Sequence, residues 1–129
     1  MRSGRGGWSI VELMIVTIVI AVLASFAIPM YINAVERSQG SQAASHLRTI
    51  REAQISFFTE EQQYSNDLGE LGLLVGARLD NLDNDHWSYL ITNVGADTFT
   101  LEANRLRGPN SGTTLTLNAL DEWGGDYPR

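Results

Sequence analysis

The 129-residue sequence contains no lysine and no cysteine, and only three prolines. Without cysteine, neither a disulfide framework nor a thiolate metal site is available. Any small domain in the chain must therefore be held by packing, by an ion or by its neighbours. The absence fixes no compartment, because exported proteins can also lack cysteine. Without lysine, all nine basic residues are arginines, set against fifteen acids for a net charge of −6. Arg2 and Arg5 precede the one long apolar stretch, so the chain beyond it is more acidic still. An acidic body without a basic stripe argues against nucleic acid as a partner. It also argues against charge-driven attachment to a membrane surface. His46 and His86 are too far apart in sequence to suggest zinc or general-base chemistry, and no nucleophile–base pair is visible. The glycine-bearing stretch RGPNSG, from Arg107 to Gly112, leads into a strand pattern rather than opening a helix, so it is not a phosphate loop. Nothing here reads as an enzyme.

What the sequence does have is a membrane-length apolar run. From Ile10 to Ile28 only Glu12, Thr17 and Ser25 interrupt it, and about 18 apolar residues suffice for a spanning helix. A carboxylate at the centre of a bilayer costs roughly 2.5–3.5 kcal/mol on insertion scales. The cost is smaller near the helix end, but an acid kept there needs a partner. Two readings need no family. In one, MRSGR is the basic end of a secretory signal cut at Ser25-Phe26-Ala27, although the run exceeds the roughly 7–15 residues of a signal core. In the other, Ser9-Ile10-Val11-Glu12 is a capping box, with Ser9 as N-cap and Glu12 reaching back to its amide. The chain is then a single-span anchor carrying an exported domain, a membrane-anchored binding module that never polymerises.

Four segments follow from composition and period. Residues 1–7 form a basic, glycine-rich leader, and residues 8–29 are the apolar helix. Residues 30–62 continue it as an amphipathic helix. There Val35, Ala43, Leu47, Ile50, Ala53 or Gln54, and Phe57 recur at three- and four-residue steps, while Glu36, Arg37, Arg48, Arg51, Glu52 and Glu60 fall mostly elsewhere. Gly40 should weaken this helix by about 1 kcal/mol relative to alanine. Pro29, at the seam, removes one backbone hydrogen bond and should kink or loosen the turn before it. Residues 63–129 open with a loop, with one short helical turn in it, in which Asn, Asp and Gly abound. The period then changes to two. WSYLITNV (87–94), TFTLEANRL (98–106) and TTLTLNAL (113–120) predict a three-stranded antiparallel meander. Phe99, Leu101, Ala103, Leu115, Leu117 and Ala119 form its apolar face, which needs a helix against it. The tail is expected to be irregular, anchored by Trp123 and Tyr127. The fold class is α+β.

The stretch GGWSIVELMIVTIVIAVLASFAIPMY resembles the class III leader and N-terminal helix of type IV pilins and type II secretion pseudopilins. Gly7, Ser9, Glu12, the apolar run and Pro29 stand at that family's spacing, over some thirty residues. Trp8 departs from the usual phenylalanine at the first mature position. The resemblance implies cleavage by a prepilin peptidase between Gly7 and Trp8 and N-methylation of Trp8. It further implies that Glu12 pairs with the new amine of an adjacent subunit, and that the chain is a filament subunit rather than an enzyme. The implied partners are other copies or related subunits, the peptidase, the assembly machinery of the bacterial inner membrane, and lipid before assembly. The protein would start as a single-pass precursor with its N-terminus in the cytoplasm, as Arg2 and Arg5 also suggest. It would end in a periplasmic pseudopilus or a surface pilus. The missing cysteine pair leans slightly toward pseudopilins.

Asp80, Asp83 and Asp85 with neighbouring Asn81 and Asn84, and Asp121 and Asp126 beside Glu122, are candidate oxygen ligands for calcium. No firm metal is assigned, because the first cluster does not fit an EF-hand loop and its glycine is absent. Calcium in the C-terminal region of major pseudopilins is the resemblance's one argument for it. No other cofactor is expected.

Overall fold

The computed structural model describes residues 6–76 and 78–128, so Arg2 and Arg5 lie outside the described residues. Contacts divide the chain into two compact units, Met1–Val35 and Glu36–Arg129. One helix, α1, spans Ile10–Glu61.

In the first unit the side chains from Ile10 to Ile28 are exposed almost without exception. The two hydroxyls of the run turn back on their own helix: Thr17 Oγ1 donates to Leu13 O at 2.7 Å and Ser25 Oγ to Ala21 O at 2.8 Å. Both are thereby satisfied without water, as a lipid-facing helix requires. Pro29 lies inside α1, where it cannot donate to the Ser25 carbonyl.

In the second unit the helical period is realised by Ala43, Leu47, Ile50, Ala53, Gln54 and Phe57, all buried. Gln62 takes φ of 59° and ends the helix. The buried Gln54 amide mates with the backbone of Ser65: Nε2 donates to Ser65 O at 2.6 Å, and Ser65 N donates to Oε1 at 3.0 Å. That bond pair returns the chain onto the helix it has just left. The loop then makes a second helix, α2 (Leu68–Val75), more than the single turn expected. Asp67 caps its start, accepting from Gly69 N at 2.7 Å, and Gly76 in the left-handed region ends it. A 3-10 turn, Leu79–Asn81, follows.

The sheet has four strands rather than three: β1 (Trp87–Thr92), β2 (Thr100–Arg105), β3 (Thr114–Asn118) and β4 (Trp123–Gly125). They are antiparallel, in the order β1-β2-β3-β4. Part of the tail expected to be irregular is β4. It is too short, and too rich in glycine, to carry a period of its own, and it is recruited by pairing Leu117 with Trp123 and Leu115 with Gly125. Alternation places Trp87 and Tyr89, Leu101 and Ala103, and Leu115 and Leu117 on one face, all buried in one core with the α1 stripe. Tyr127 is a buried anchor of that core and Trp123 a half-buried one, as expected.

Glu36 corrects the sequence reading. It is only 8% exposed and sits on the inward stripe of α1, with Arg105, 3% exposed, facing the same interior from β2. Gly40 is corrected in its role. A Cβ there would stand 2.6 Å from Tyr127 Cε1, so the glycine admits the tyrosine ring close against the helix. Alanine's intrinsic advantage of about 1 kcal/mol is outweighed by that clash, since overpacking costs typically 1–3 kcal/mol.

Candidate assembly site

The N-terminal end of α1 closes on itself. Ser9 N donates to Glu12 Oε2 at 2.9 Å and Glu12 N donates to Ser9 Oγ at 3.1 Å, the reciprocal pair of a capping box. Ser9 O accepts the first helical bond from Leu13 N at 3.1 Å. The carboxylate therefore lies over the helix start, where aligned peptide dipoles favour negative charge. Trp8, 73% exposed, stands immediately before it. Gly7 and Trp8 line the same open cleft as Glu12. The structure thus brings Gly7, Trp8 and Glu12 together at one end of a helix whose next nineteen side chains offer no charge and almost no burial.

A second group of polar residues sits where the globular unit begins. Arg105 Nη2 donates to Glu36 Oε1 at 2.6 Å, Asn110 Nδ2 to Glu36 Oε2 at 3.0 Å, and Tyr127 Oη to Glu36 O at 2.6 Å. Arg105 Nη1 reaches His86 O at 3.2 Å, and its guanidinium lies 5.3 Å from the centre of the Trp87 ring. Gly108, at φ of 102°, brings the β2–β3 loop so close that a Cβ would meet Glu36 Oε1 at 2.7 Å. Burial raises the Glu36 carboxyl. Bonds from Arg105 and Asn110, the Arg105 charge and the Tyr127 hydroxyl outweigh it and hold the pKa below its ordinary 4.5. Burial and the adjacent Glu36 carboxylate push Tyr127 up to about 12. With every strong partner internal, this group clamps the fold and offers nothing to a substrate. Sequence reasoning missed it, although period two on β2 puts Arg105 in register with Leu101 and Ala103.

The calcium candidates are not brought together: no three His, Cys, Asp or Glu side chains converge on one point among the described residues. Asp83 Oδ1 accepts from Tyr89 N at 2.7 Å. Asp85 faces Arg107 at 3.7 Å on the surface, and Asp80 is exposed. Asp126 accepts from Thr114 N at 2.6 Å, a bond that lowers its pKa. Asp121 occupies the left-handed position of the β3–β4 turn, at φ of 64°. These acids build turns and strand ends. His46 Nδ1 lies 2.9 Å from Tyr89 Oη, and burial lowers its pKa, so it serves the core edge.

Residues 29–116 match the family model described as "Type IV minor pilin ComP, DNA uptake sequence receptor". The chain is also 42% identical over 66 residues to the type IV major pilin protein PilA of Myxococcus xanthus (strain DK1622), a stretch covering 51% of this chain and 30% of that protein. It is 43% identical over 53 residues to a type IV major fimbrial protein FimA of Dichelobacter nodosus, covering 41% of this chain and 34% of the relative. In each case the chain spans about a third of the relative's length. The family description mentions DNA, which stands against the expectation of no nucleic-acid partner.

Proposed function

Because the chain belongs to the type IV pilin family, we propose that it is a filament subunit processed between Gly7 and Trp8 and polymerised through α1. The observation that carries this reading is the exposed apolar run with a carboxylate at its start. The side chains from Ile10 to Ile28 find no cover within the chain, so lipid must shield them in the precursor and neighbouring helices in the polymer. Proteolysis after Gly7 puts a cationic amine on Trp8, one turn from Glu12. In the low-dielectric interior of a helix bundle a matched charge pair is tolerated and an unmatched one is heavily penalised. Registers that pair each Glu12 with a neighbour's amine are therefore selected over slipped ones. The PilA and FimA relatives favour a pilus fibre over a secretion pseudopilus, against the slight lean drawn from the missing cysteines. Mass spectrometry of the mature N-terminus tests the processing: a methylated Trp8 is the expected terminus. A terminus at Ile28 would mean a secretory signal, and retention of Met1 a plain anchor.

A second reading, DNA reception by a minor pilin, is favoured by the family description and by one flank of the globular unit. Arg48, exposed on α1, holds its guanidinium 5.3 Å from the centre of the Trp123 ring, and Arg51 follows on the same helix flank. Net acidity is an average, and a local cation with an aromatic platform can still meet a phosphate and a base. Full-length protein in detergent should bind labelled DNA with an affinity that falls with salt. Arg48→Ala should shrink the log–log salt slope by about one. Absence of binding, or an unchanged slope, would exclude this flank.

A further inference from the structure

The β3–β4 turn ends in an exposed leucine that the fold holds rigidly outward. Leu120 is 78% exposed. Its amide and that of Glu122 both donate to Asn118 Oδ1, at 3.0 and 2.9 Å. Asn118 Nδ2 in turn donates to Glu122 Oε2 at 2.7 Å. Arg51 Nη2 braces the turn from α1 by donating to Ala119 O at 3.1 Å. Asp121, beside the leucine, accepts no side-chain hydrogen bond among the described residues and leaves its carboxylate to solvent. A turn so fixed presents an apolar tip and an adjacent negative charge with little ordering left to lose on contact.

The same unit carries a complementary feature. A groove of about 250 Å³ lies between α1 and the start of β3, walled by Gly40, Ala44, Leu115, Tyr127 and Pro128 and rimmed by Arg37. Arg37 is exposed and takes part in no ion pair among the described residues. The chain's own turn cannot fill this groove. Leu115, in its wall, pairs with Gly125 at the far end of the β3–β4 hairpin. Leu120 lies beyond the end of β3 at Asn118, and the strand from Leu115 to Asn118 alone spans roughly 10 Å.

We propose that the Leu120–Asp121 turn of one copy docks into the Arg37-rimmed groove of the next, Leu120 filling the trough and Asp121 pairing with Arg37. The contact joins two different patches, so within a filament it can repeat head to tail from copy to copy. It rests on the filament reading and adds a contact between globular units to the one between helices.

The cysteine-free chain permits a clean test. Leu120→Cys and Ser41→Cys, the latter on the groove wall, are introduced together into the full-length protein, and assembled filaments are oxidised gently. A ladder of covalent multimers is expected from the double variant, and nothing beyond dimers from either single variant. Filaments that assemble normally yet yield no ladder overturn the docking and leave the filament reading standing. If the double variant fails to assemble, charge exchange decides. Arg37→Asp should reduce filament yield by about tenfold or more through acid–acid repulsion, and adding Asp121→Arg should restore it. Failure to restore overturns the proposal. If the unaltered chain forms no filaments, the proposal falls together with the reading beneath it.

Discussion

Glu12→Gln is expected to abolish filament assembly while the protein still inserts into the membrane and is still cut after Gly7. Glutamine keeps the capping geometry, since its carbonyl oxygen can accept from Ser9 N as Glu12 Oε2 does at 2.9 Å. It cannot neutralise an ammonium. Removing one member of a buried charge pair costs about 3–5 kcal/mol, which is at least roughly a hundredfold in each subunit contact. Fractionation reads insertion, the size of the mature chain reads processing, and electron microscopy of sheared surface material reads assembly. Normal filaments from this variant would reduce Glu12 to its local capping role.

The second large effect concerns the globular unit. Glu36→Ala leaves the Arg105 guanidinium buried without its counter-charge, and the expected loss is again about 3–5 kcal/mol. That is a large share of the roughly 5–15 kcal/mol by which a domain is stable. The paired substitution Glu36→Leu with Arg105→Met removes both charges at similar volume and is expected to be near neutral or stabilising. The pH dependence has a definite sign. The folded Glu36 pKa is depressed, so its contribution is fully present above the ordinary, unfolded value of 4.5. It is lost as pH falls through the lower, folded value. Near-ultraviolet circular dichroism during acid and thermal unfolding should show this component in the natural chain and not in the paired variant. A mild Glu36→Ala phenotype would remove the clamp from the account.

Much of this was legible in the residues. The three- and four-residue steps from Ala43 to Phe57 and the alternation in β2 and β3 come from side chains that all obey one rule, apolar inward, so local pattern and tertiary structure agree. The capping box was readable because both its members lie within one turn. The clamp was not, because it breaks that rule twice. Glu36 stands seven residues before Ala43 and Arg105 two after Ala103, each on an inward stripe where a charge looks like an outward residue out of phase. Each position makes sense only beside the other, 69 residues away. β4 escaped for a different reason: its three residues have no period, and pairing with β3 is what makes them a strand. α2 was obscured by Gly69 and Gly72, which lower helix propensity between otherwise clear caps at Asp67 and Gly76.

Tyr127 carries a consequence for how the protein is made. Its hydroxyl donates to the Glu36 carbonyl across 91 positions of sequence. The seam joining the first turn of the globular unit to Tyr127 thus cannot be sewn until Tyr127 itself has been made. On the filament reading, a chain held by its N-terminal helix would be exported with this seam still open. Closure would then fall to the far side, with Tyr127 as the latch.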